Sequence, residues 1–531
     1  MLDLRERPFT ERGSRLLVMA ADDGSLWIAR AEYETRLRET SVLTGLRVFA
    51  GSRELPVRRA LPDRVEFADG LTDGVTGGVT LAFVDADTIV LLGTGARAVW
   101  DGGEAAIDGC LTLVGSPPPA GADVLGSAAR RWRDWFDRMP AVPDDLRERA
   151  EQAWWTLAVN LVRIQGRESL IPSKYGYVGL WNWDSYFHAI ALRHADPALA
   201  REQIRILLDN QRPDGLIPDV VHDHGVLAAT TDLPRSDLAR LEQHVGGGPI
   251  GPEVPVTKPP LTAWAVWKIH ERDPDPGFLA EVYEPLVRSQ EWWFEHSDPD
   301  GDGLAEYLHP YSSGLDDSPI WDHGPRAEPP DLNSYLALQY DRLADIAAVL
   351  GRDQGVWRDK AQALVDLMIE RRWNGSRFVT RPSDDVRTPL DFMPLITGRL
   401  PAEIARTLVD GLTSPSFWAE RPLPTVAFDD RRFDPDAMWR GPVWLNVNYL
   451  LVDGLRRSGY QETADELRAR TLAMVRDGGG LYEYWNPLTG ARAGRATTGF
   501  GWSAALFLDL AQERPSSVNA PRDNASSSSV T

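Results

Sequence analysis

One cysteine, Cys110, occurs among 531 residues. An internal disulfide and a cysteine-built zinc site are therefore excluded. Positive charge is scarce as well: 57 Lys and Arg stand against 78 Asp and Glu, a formal net charge of −21. That balance repels polyanions, so nucleic acid and anionic membranes are poor partners. No apolar stretch reaches the roughly 18 residues needed to cross a bilayer. The charged start, Met1 to Ser14, also lacks the apolar run of a secretory leader. These absences predict a soluble, cytoplasmic protein.

Tryptophan, by contrast, is abundant. With 20 Trp, 15 Phe and 13 Tyr, and 43% hydrophobic residues, the chain can bury a large core. Its length points to two domains or one large barrel. Indoles beyond the needs of a core offer flat apolar faces on which a sugar ring can stack.

Residues 1–122 read as an antiparallel β-sandwich. Apolar and polar positions alternate in Ser25-Leu-Trp-Ile-Ala-Arg, Gly78-Val-Thr-Leu-Ala-Phe-Val-Asp and Thr88-Ile-Val-Leu-Leu-Gly, between Gly- and Asp-rich turns. Gly115-Ser-Pro-Pro-Pro-Ala-Gly follows as a stiff linker. Helical periodicity then takes over through residues 123–513. Trp132, Trp135, Phe136 and Met139 make one stripe; Trp154, Leu157, Ala158, Leu161 and Ile164 make the next. Helical segments are predicted to begin near residues 144, 183, 197, 260, 276, 333, 353, 389, 401, 441, 460 and 500. Twelve helices joined by alternating short and long loops describe six hairpins closed into an (α/α)6 barrel. The long loops gather at one mouth, where a rigid scaffold positions functional residues. The tail 514–531 is expected to be disordered.

The loop Tyr311-Ser-Ser-Gly-Leu-Asp-Asp-Ser-Pro-Ile-Trp321 holds two adjacent carboxylates, and Gly314 and Pro319 interrupt both helix and strand. An acidic turn of this kind is more often a solvated connection than a presented acid. Gly179-Leu-Trp-Asn-Trp-Asp-Ser-Tyr-Phe-His188 places Asp184 on a first helical turn behind Trp181 and Trp183. Asp184 reads either as a helix cap or as an acceptor for sugar hydroxyls between stacking indoles. A long irregular stretch from Asn210 to Pro260 has the character of a lid. His222, His224 and His244 fall in it, without a further ligand at metal-binding spacing. Asp298-Pro-Asp300-Gly-Asp302-Gly-Leu304-Ala-Glu306 has the alternation of a calcium loop, with Asp298, Asp300, Asp302, Leu304 and Glu306 as candidate ligands of a structural ion. An ordinary acidic turn is the alternative. Trp439, Arg440 and Trp444 precede a helix, and Arg440 suits a carboxylate or hydroxyl partner. Glu483 sits between Tyr482 and Tyr484, and a lone buried Glu among aromatics is costly without a partner or a task.

Taken together, Gly-Leu-Trp-Asn-Trp-Asp-Ser-Tyr-Phe-His, Thr257-Lys-Pro-Pro, Ser313-Gly-Leu-Asp-Asp-Ser-Pro, Trp439-Arg-Gly-Pro-Val-Trp-Leu-Asn-Val-Asn-Tyr and Tyr482-Glu-Tyr-Trp-Asn-Pro-Leu-Thr-Gly resemble glycoside hydrolase family 63. The resemblance covers roughly residues 125–513 and includes bacterial α-glucosidases and mannosylglycerate hydrolases. It implies that Asp316 is a general acid and Glu483 a general base. Trp181, Trp183 and Asp184 would line the subsite for the terminal sugar, with Lys258, Trp439 and Arg440 near it. Trp444, Tyr482 and Trp502 complete the implied sugar-binding set. Asp317 falls where relatives carry Asp or Asn, and is not expected to be the acid.

An inverting hydrolysis follows from that pair. The acid protonates the leaving oxygen, the base activates a water on the opposite ring face, and the carboxyls stand about 6.5–9.5 Å apart. The expected activity is an exo-acting α-glycosidase releasing glucose or mannose from a small carbohydrate, with mannosylglycerate or glucosylglycerate hydrolysis as the alternative. A non-catalytic carbohydrate-binding barrel is the rival of another class, and retention of both carboxyls argues against it. No cofactor is expected for the chemistry.

Overall fold

The computed structural model describes residues 2–68, 78–235, 238–239, 251 and 253–512. The tail expected at 514–531 and His244 lie outside them. Nine strands, β1 (Leu16–Ala20), β2 (Leu26–Arg30), β3 (Ser41–Ala50), β4 (Arg53–Leu55), β5 (Val57–Ala60), β6 (Val65–Phe67), β7 (Thr80–Asp85), β8 (Thr88–Trp100) and β9 (Gly103–Val114), form one sheet. Their order is β1-β2-β3-β8-β7-β6-β5, with β4 on β3 and β9 on β8, and the pairings are antiparallel. Alternate residues point to one shared core: Leu16 and Val18 of β1 meet Ala60 of β5 and Val65 of β6 there. Strands at the two ends of the path share a core because the sheet curls over on itself as a sandwich.

The helix Val124–Phe136 follows, capped by the Asp123 carboxylate on the Gly126 N–H, and buries Trp132 and Trp135. Met139, placed on the same stripe from sequence, lies past its end. The next helix stops at Asn160, and Leu161 and Ile164 are strand residues, not helical ones. Residues Leu161–Ile164 pair with Arg167–Leu170 around Gln165 and Gly166, both at positive φ (50° and 79°). A two-residue turn with both φ positive selects a tight hairpin over further helix.

Twelve helical segments build the barrel. An inner ring, Asn182–Leu192, Thr262–Arg272, Pro330–Val349, Pro389–Thr397, Leu445–Arg457 and Gly501–Gln512, packs each on the next and the last back on the first. The outer ring is Arg147–Asn160, Pro197–Asp209, Pro276–His296, Gly355–Arg372, Ala402–Leu412 and Gln461–Asp477. The segment at 389 is a 3-10 helix broken by Pro394, yet it occupies an inner position and is wholly buried. Asn182–Leu192 is also buried at every residue, as expected of a helix with protein on all sides.

Sheet and barrel are joined by a polar seam. Arg12 grips Glu168 through two bonds of 2.7 and 2.8 Å. The Gly13 N–H donates to Leu161 O at 2.9 Å, and the buried Lys174 amine donates to Thr10 Oγ1 at 2.9 Å. The seam abuts the segment leading into the first long barrel loop.

Candidate active site

The loop bearing Asp316 begins as a single helical turn, Pro310–Ser313, with His309 Nδ1 accepting the Tyr311 N–H. Gly314 ends it at φ +71°, where a Cβ would also lie 2.2 Å from Trp183 Cζ2. Glycine is required twice over: for the left-handed turn and for the approach of the loop to the indole. Beyond it, Ser313 Oγ accepts the Leu315 N–H at 2.9 Å and Leu315 O accepts Trp321 Nε1–H at 2.8 Å. Asp316 and Asp317 emerge half-buried from this frame. They are used differently. Asp317 Oδ1 accepts the Trp439 backbone N–H at 2.8 Å, tying two loops together. Asp316 Oδ1 is buried without a hydrogen-bond partner among the described residues. Burial pushes the Asp316 carboxyl up to about 6, against the pull of Lys258 and with the help of Asp317.

Glu483 is 4% exposed. Its Oε1 accepts the Tyr177 hydroxyl at 3.0 Å and its Oε2 accepts the Thr497 N–H at 3.0 Å. The Glu483 N–H in turn donates to Thr497 O, so backbone and carboxylate are both held. Burial raises Glu483 to about 7; the Thr497 and Tyr177 bonds oppose the rise and the charge of Asp316 adds to it. The charge of Asp316 therefore reaches Glu483, although the two are far apart in sequence.

A buried cation organises the acids beside them. Lys258 Nζ lies 3.2 Å from Asp219 Oδ1 and donates to Tyr311 O at 2.6 Å. Burial would discharge it, but Asp219, Asp316 and Asp184 together hold it protonated. Asp184, in the first turn of Asn182–Leu192, is pushed well above the usual carboxylate range by burial, with Lys258 opposing. No side-chain capping bond of Asp184 accompanies the helix start. The Asn182 N–H donates to Asp219 O at 2.8 Å, which locks the loop of Asp184 to that of Asp219.

Aromatic rings wall the cluster. Trp439 stacks on Trp444 at 3.5 Å between centroids, and Trp444 on Tyr484 at 4.7 Å. Trp183 meets Trp502 edge-on at 5.3 Å and Trp439 at 6.3 Å. Trp439 and Trp502 carry buried indole N–H groups without a partner among the described residues, donors left for a hydroxylated ligand. Trp181 is half-buried and stands edge-on to Tyr177 at 5.4 Å.

Of the residues singled out from sequence, Asp316, Glu483, Trp183, Asp184, Lys258, Trp439, Trp444 and Trp502 fall in this cluster, with Trp181 at its edge. Arg440 adjoins it but is committed to Asp322, with bonds of 2.5 and 3.4 Å. Tyr482 turns away, against Trp485 and into a surface cleft with Arg7 and Gln152. Sequence reasoning passed over Tyr177, which lies just before the Gly179–His188 motif, Asp219, which lies in the irregular stretch after Asn210, and Thr497, whose contribution is a backbone N–H that no residue type announces.

The acidic loop at 298–306 lies apart from this cluster in its bonding. Asp298, Asp300 and Asp302 offer oxygens within 4.8 Å of one another, a geometry able to hold a metal ion. Arg381 reaches Asp300 at 2.6 Å and Glu306 at 3.0 Å, and Arg372 reaches Asp302 at 3.0 Å. Three of the five expected ligands therefore converge, while Glu306 faces an arginine and the Leu304 N–H donates to Asp302.

Residues 177–503 match the mannosylglycerate hydrolase MGH1-like glycoside hydrolase domain. A mannosylglycerate hydrolase from Thermus thermophilus is 28% identical over 425 residues, covering 66% of this chain and 99% of that one. A glucosylglycerate hydrolase from Mycolicibacterium hassiacum is 26% identical over 413 residues, covering 63% of this chain and 92% of that one. The solved structure of a family 63 mannosylglycerate hydrolase from Thermus thermophilus in complex with glucose superposes with a TM-score of 0.57 at 26% identity, over 68% of this chain and 99% of the other. No helix among the described residues is long and apolar enough to cross a membrane.

Proposed function

This chain belongs to glycoside hydrolase family 63, as a member of the mannosylglycerate hydrolase MGH1-like group, and from that premise we propose that it is an inverting, exo-acting α-glycosidase that removes a terminal mannose or glucose from a small glycoside. Hydrolysis of an O-glycosidic bond is the activity of the family. Hexosylglycerates, the substrates for which the relatives are named, are the first candidates.

The observation that carries this reading is the contrast between the two carboxyls. Glu483 accepts two hydrogen bonds, the surroundings of an ionised carboxylate, whereas Asp316 Oδ1 meets no donor among the described residues. Their raised values, about 6 and about 7, lie too close together to assign roles by order alone. The hydrogen bonds received by Glu483 support its role as the charged partner, because they favour the charged form of the group that receives them. In the reaction the Asp316 proton passes to the glycosidic oxygen as the C–O bond breaks. Glu483 takes a proton from the water that attacks the anomeric carbon from the other face, and the configuration inverts. Asp184 and Lys258 hold hydroxyls of the terminal sugar at the buried end, and the closed end makes the attack exo.

A hydrolysis screen over mannosylglycerate, glucosylglycerate, kojibiose, nigerose, trehalose and maltose tests the proposal, with the released anomer followed by NMR. Turnover with β-anomer released first supports it; release of the α-anomer overturns inversion, and no turnover of any α-glycoside overturns the enzyme.

A further inference from the structure

Tyr482, expected among the residues that bind the substrate sugar, lines a different cavity. A cleft of roughly 280 Å³ lies between the start of the chain and the barrel, lined among the described residues by Asp3, Glu6 and Arg7 on one side and by Trp155, Tyr482 and Arg492 on the other. Asp3, Glu6, Arg7 and Trp155 fall outside residues 177–503, so the family match covers only part of its wall. The walls are fixed. The Leu2 N–H donates to Ala60 O and the Ala20 N–H to Leu4 O, both at 2.9 Å, which pins the first segment to the sheet. From the barrel side the Tyr175 hydroxyl donates to Glu6 O at 3.2 Å. A Cβ on Gly480 would stand 2.6 Å from Tyr482 Cε1, so glycine lets the phenol lie against the turn beneath it.

Three features describe a ligand. Trp155 is 5% exposed, and its Nε1–H is buried without an acceptor among the described residues; proteins rarely leave such a donor unmet. Two carboxylates and two guanidiniums balance in the lining, which suits a neutral ligand. Their mixture of acceptors and donors also matches adjacent hydroxyls, each of which gives and takes a hydrogen bond. Tyr482 adds a half-buried ring on which the apolar face of a pyranose can lie. The volume falls just under the usual range of ligand pockets, about 300–1,000 Å³, so the cleft takes one sugar unit and not a chain. It adjoins the base as well. Tyr482 forms a β-bridge with Thr498, another lining residue, and the next pair, Glu483 and Thr497, is joined by the two bonds that hold the carboxylate loop.

We propose that this cleft is a second sugar-binding site, separate from the catalytic cluster, that holds one neutral hexose. The pyranose rests on the Tyr482 ring, and one of its hydroxyl oxygens accepts the Trp155 Nε1–H. Its remaining hydroxyls accept from Arg7 and Arg492 and donate to Asp3 and Glu6. The site does not depend on the hydrolase reading above.

The test uses D-glucose and D-mannose, soaked into crystals of the wild type and titrated in solution by saturation-transfer NMR. Wild type, Arg7→Ala, Trp155→Phe and Asp184→Asn are compared. Wild type should show a hexose in the cleft. Its solution affinity there should fall about 10-fold in Arg7→Ala and in Trp155→Phe, the size of a lost hydrogen bond or two. Asp184→Asn, which alters the catalytic cluster, should keep the cleft affinity. Arg492→Ala, at an exposed residue, supplies the same readout if Trp155→Phe does not fold. A sugar confined to the catalytic cluster, a cleft sugar seen at crystal concentration only, or D-glycerate bound in place of the hexose overturns the inference. A filled cleft in a protein that turns over no α-glycoside overturns the hydrolase reading and leaves this site standing.

Discussion

The phenol of Tyr177 donates to Glu483 Oε1 at 3.0 Å, joining a residue from the first long barrel loop to one from the last. The bond stabilises the charged carboxylate that a general base needs. Tyr177→Phe removes it with little change in volume. A hydrogen bond to a charged group is worth about 1.5–3 kcal/mol, so kcat should fall roughly 10- to 100-fold. Glu483 then protonates more readily, and the acidic limb of the kcat/KM profile should move to higher pH. A limb that stays in place would mean that Tyr177 does not tune Glu483.

Asp316→Asn and Glu483→Gln should each cost at least the ~10²–10⁴-fold typical of general acid or base catalysis. Asp317→Asn should act differently, because Asp317 secures the Trp439 N–H. It should keep a substantial part of kcat and lose thermal stability. The kinetics and melting curves of the three variants separate these roles.

The same carboxyls make the protein sensitive to base. Glu483 is raised from 4.5 to about 7 and Asp316 from 3.8 to about 6, both by burial. A carboxyl raised in the folded state favours folding below its unfolded value, and that contribution is lost as pH rises through the folded value. Their share of stability is thus present near pH 4 and gone by about pH 7 to 8. Glu483→Gln should therefore be more stable than wild type at pH 8, by roughly 3 kcal/mol at most, and melt higher. The advantage should vanish near pH 4. Equal melting at both pH values would show that the burial cost is not realised.

Gly314→Ala tests the seat of the acid loop. A methyl there meets Trp183 at 2.2 Å and an unfavourable φ at once. The substitution should destabilise by about 1–3 kcal/mol or more, and the loop should shift away from the indole. Activity measured well below the melting temperature should drop more than 10-fold, since about 1 Å of misplacement costs ~10²-fold.

Arg381 and Arg372 already pair with Asp300, Asp302 and Glu306. Millimolar calcium or a chelator should therefore move the wild-type melting temperature by no more than about 1–2 °C. Arg381→Ala should lower it, and calcium should then restore part of the loss by occupying Asp298, Asp300 and Asp302. A large chelator effect on wild type would place an ion in the loop despite the arginines.

Much of the barrel was legible because periodicity is local. The starts read at 197, 276 and 389 coincide with the observed segments, and that at 183 is one residue off. The segment at 389, short and broken by Pro394, was the least regular by pattern, yet packing against Pro330–Val349 and Leu445–Arg457 makes it an inner-ring member. Reading failed where local and tertiary preferences part. Leu161 and Ile164 continue the helical stripe of Trp154, but Gln165 and Gly166 fold them into a hairpin that pairs at once. In the site, Trp-Asn-Trp-Asp and Gly-Leu-Asp-Asp-Ser-Pro were visible because charges and indoles in glycine-broken loops stand out from a helical background. Tyr177 and Asp219 were not, since a tyrosine or an aspartate in a loop has no distinguishing spacing until a partner is placed beside it.

By itself, the sequence determined the two-part architecture, the alternation of short and long loops and the residue types gathered at one mouth, because each follows from neighbours along the chain. The tertiary structure decided what those residues face. Asp316 and Asp317 are chemically identical and adjacent, yet one anchors the Trp439 backbone and the other keeps a buried oxygen without a donor among the described residues. Lys258 draws three carboxylates around itself. Tyr33, from a sheet domain that sequence reading kept apart from the site, stacks on His222 and neighbours Trp181. Burial, charge pairing and ring contact between distant segments depend on three-dimensional proximity, and a one-dimensional pattern carries no term for it.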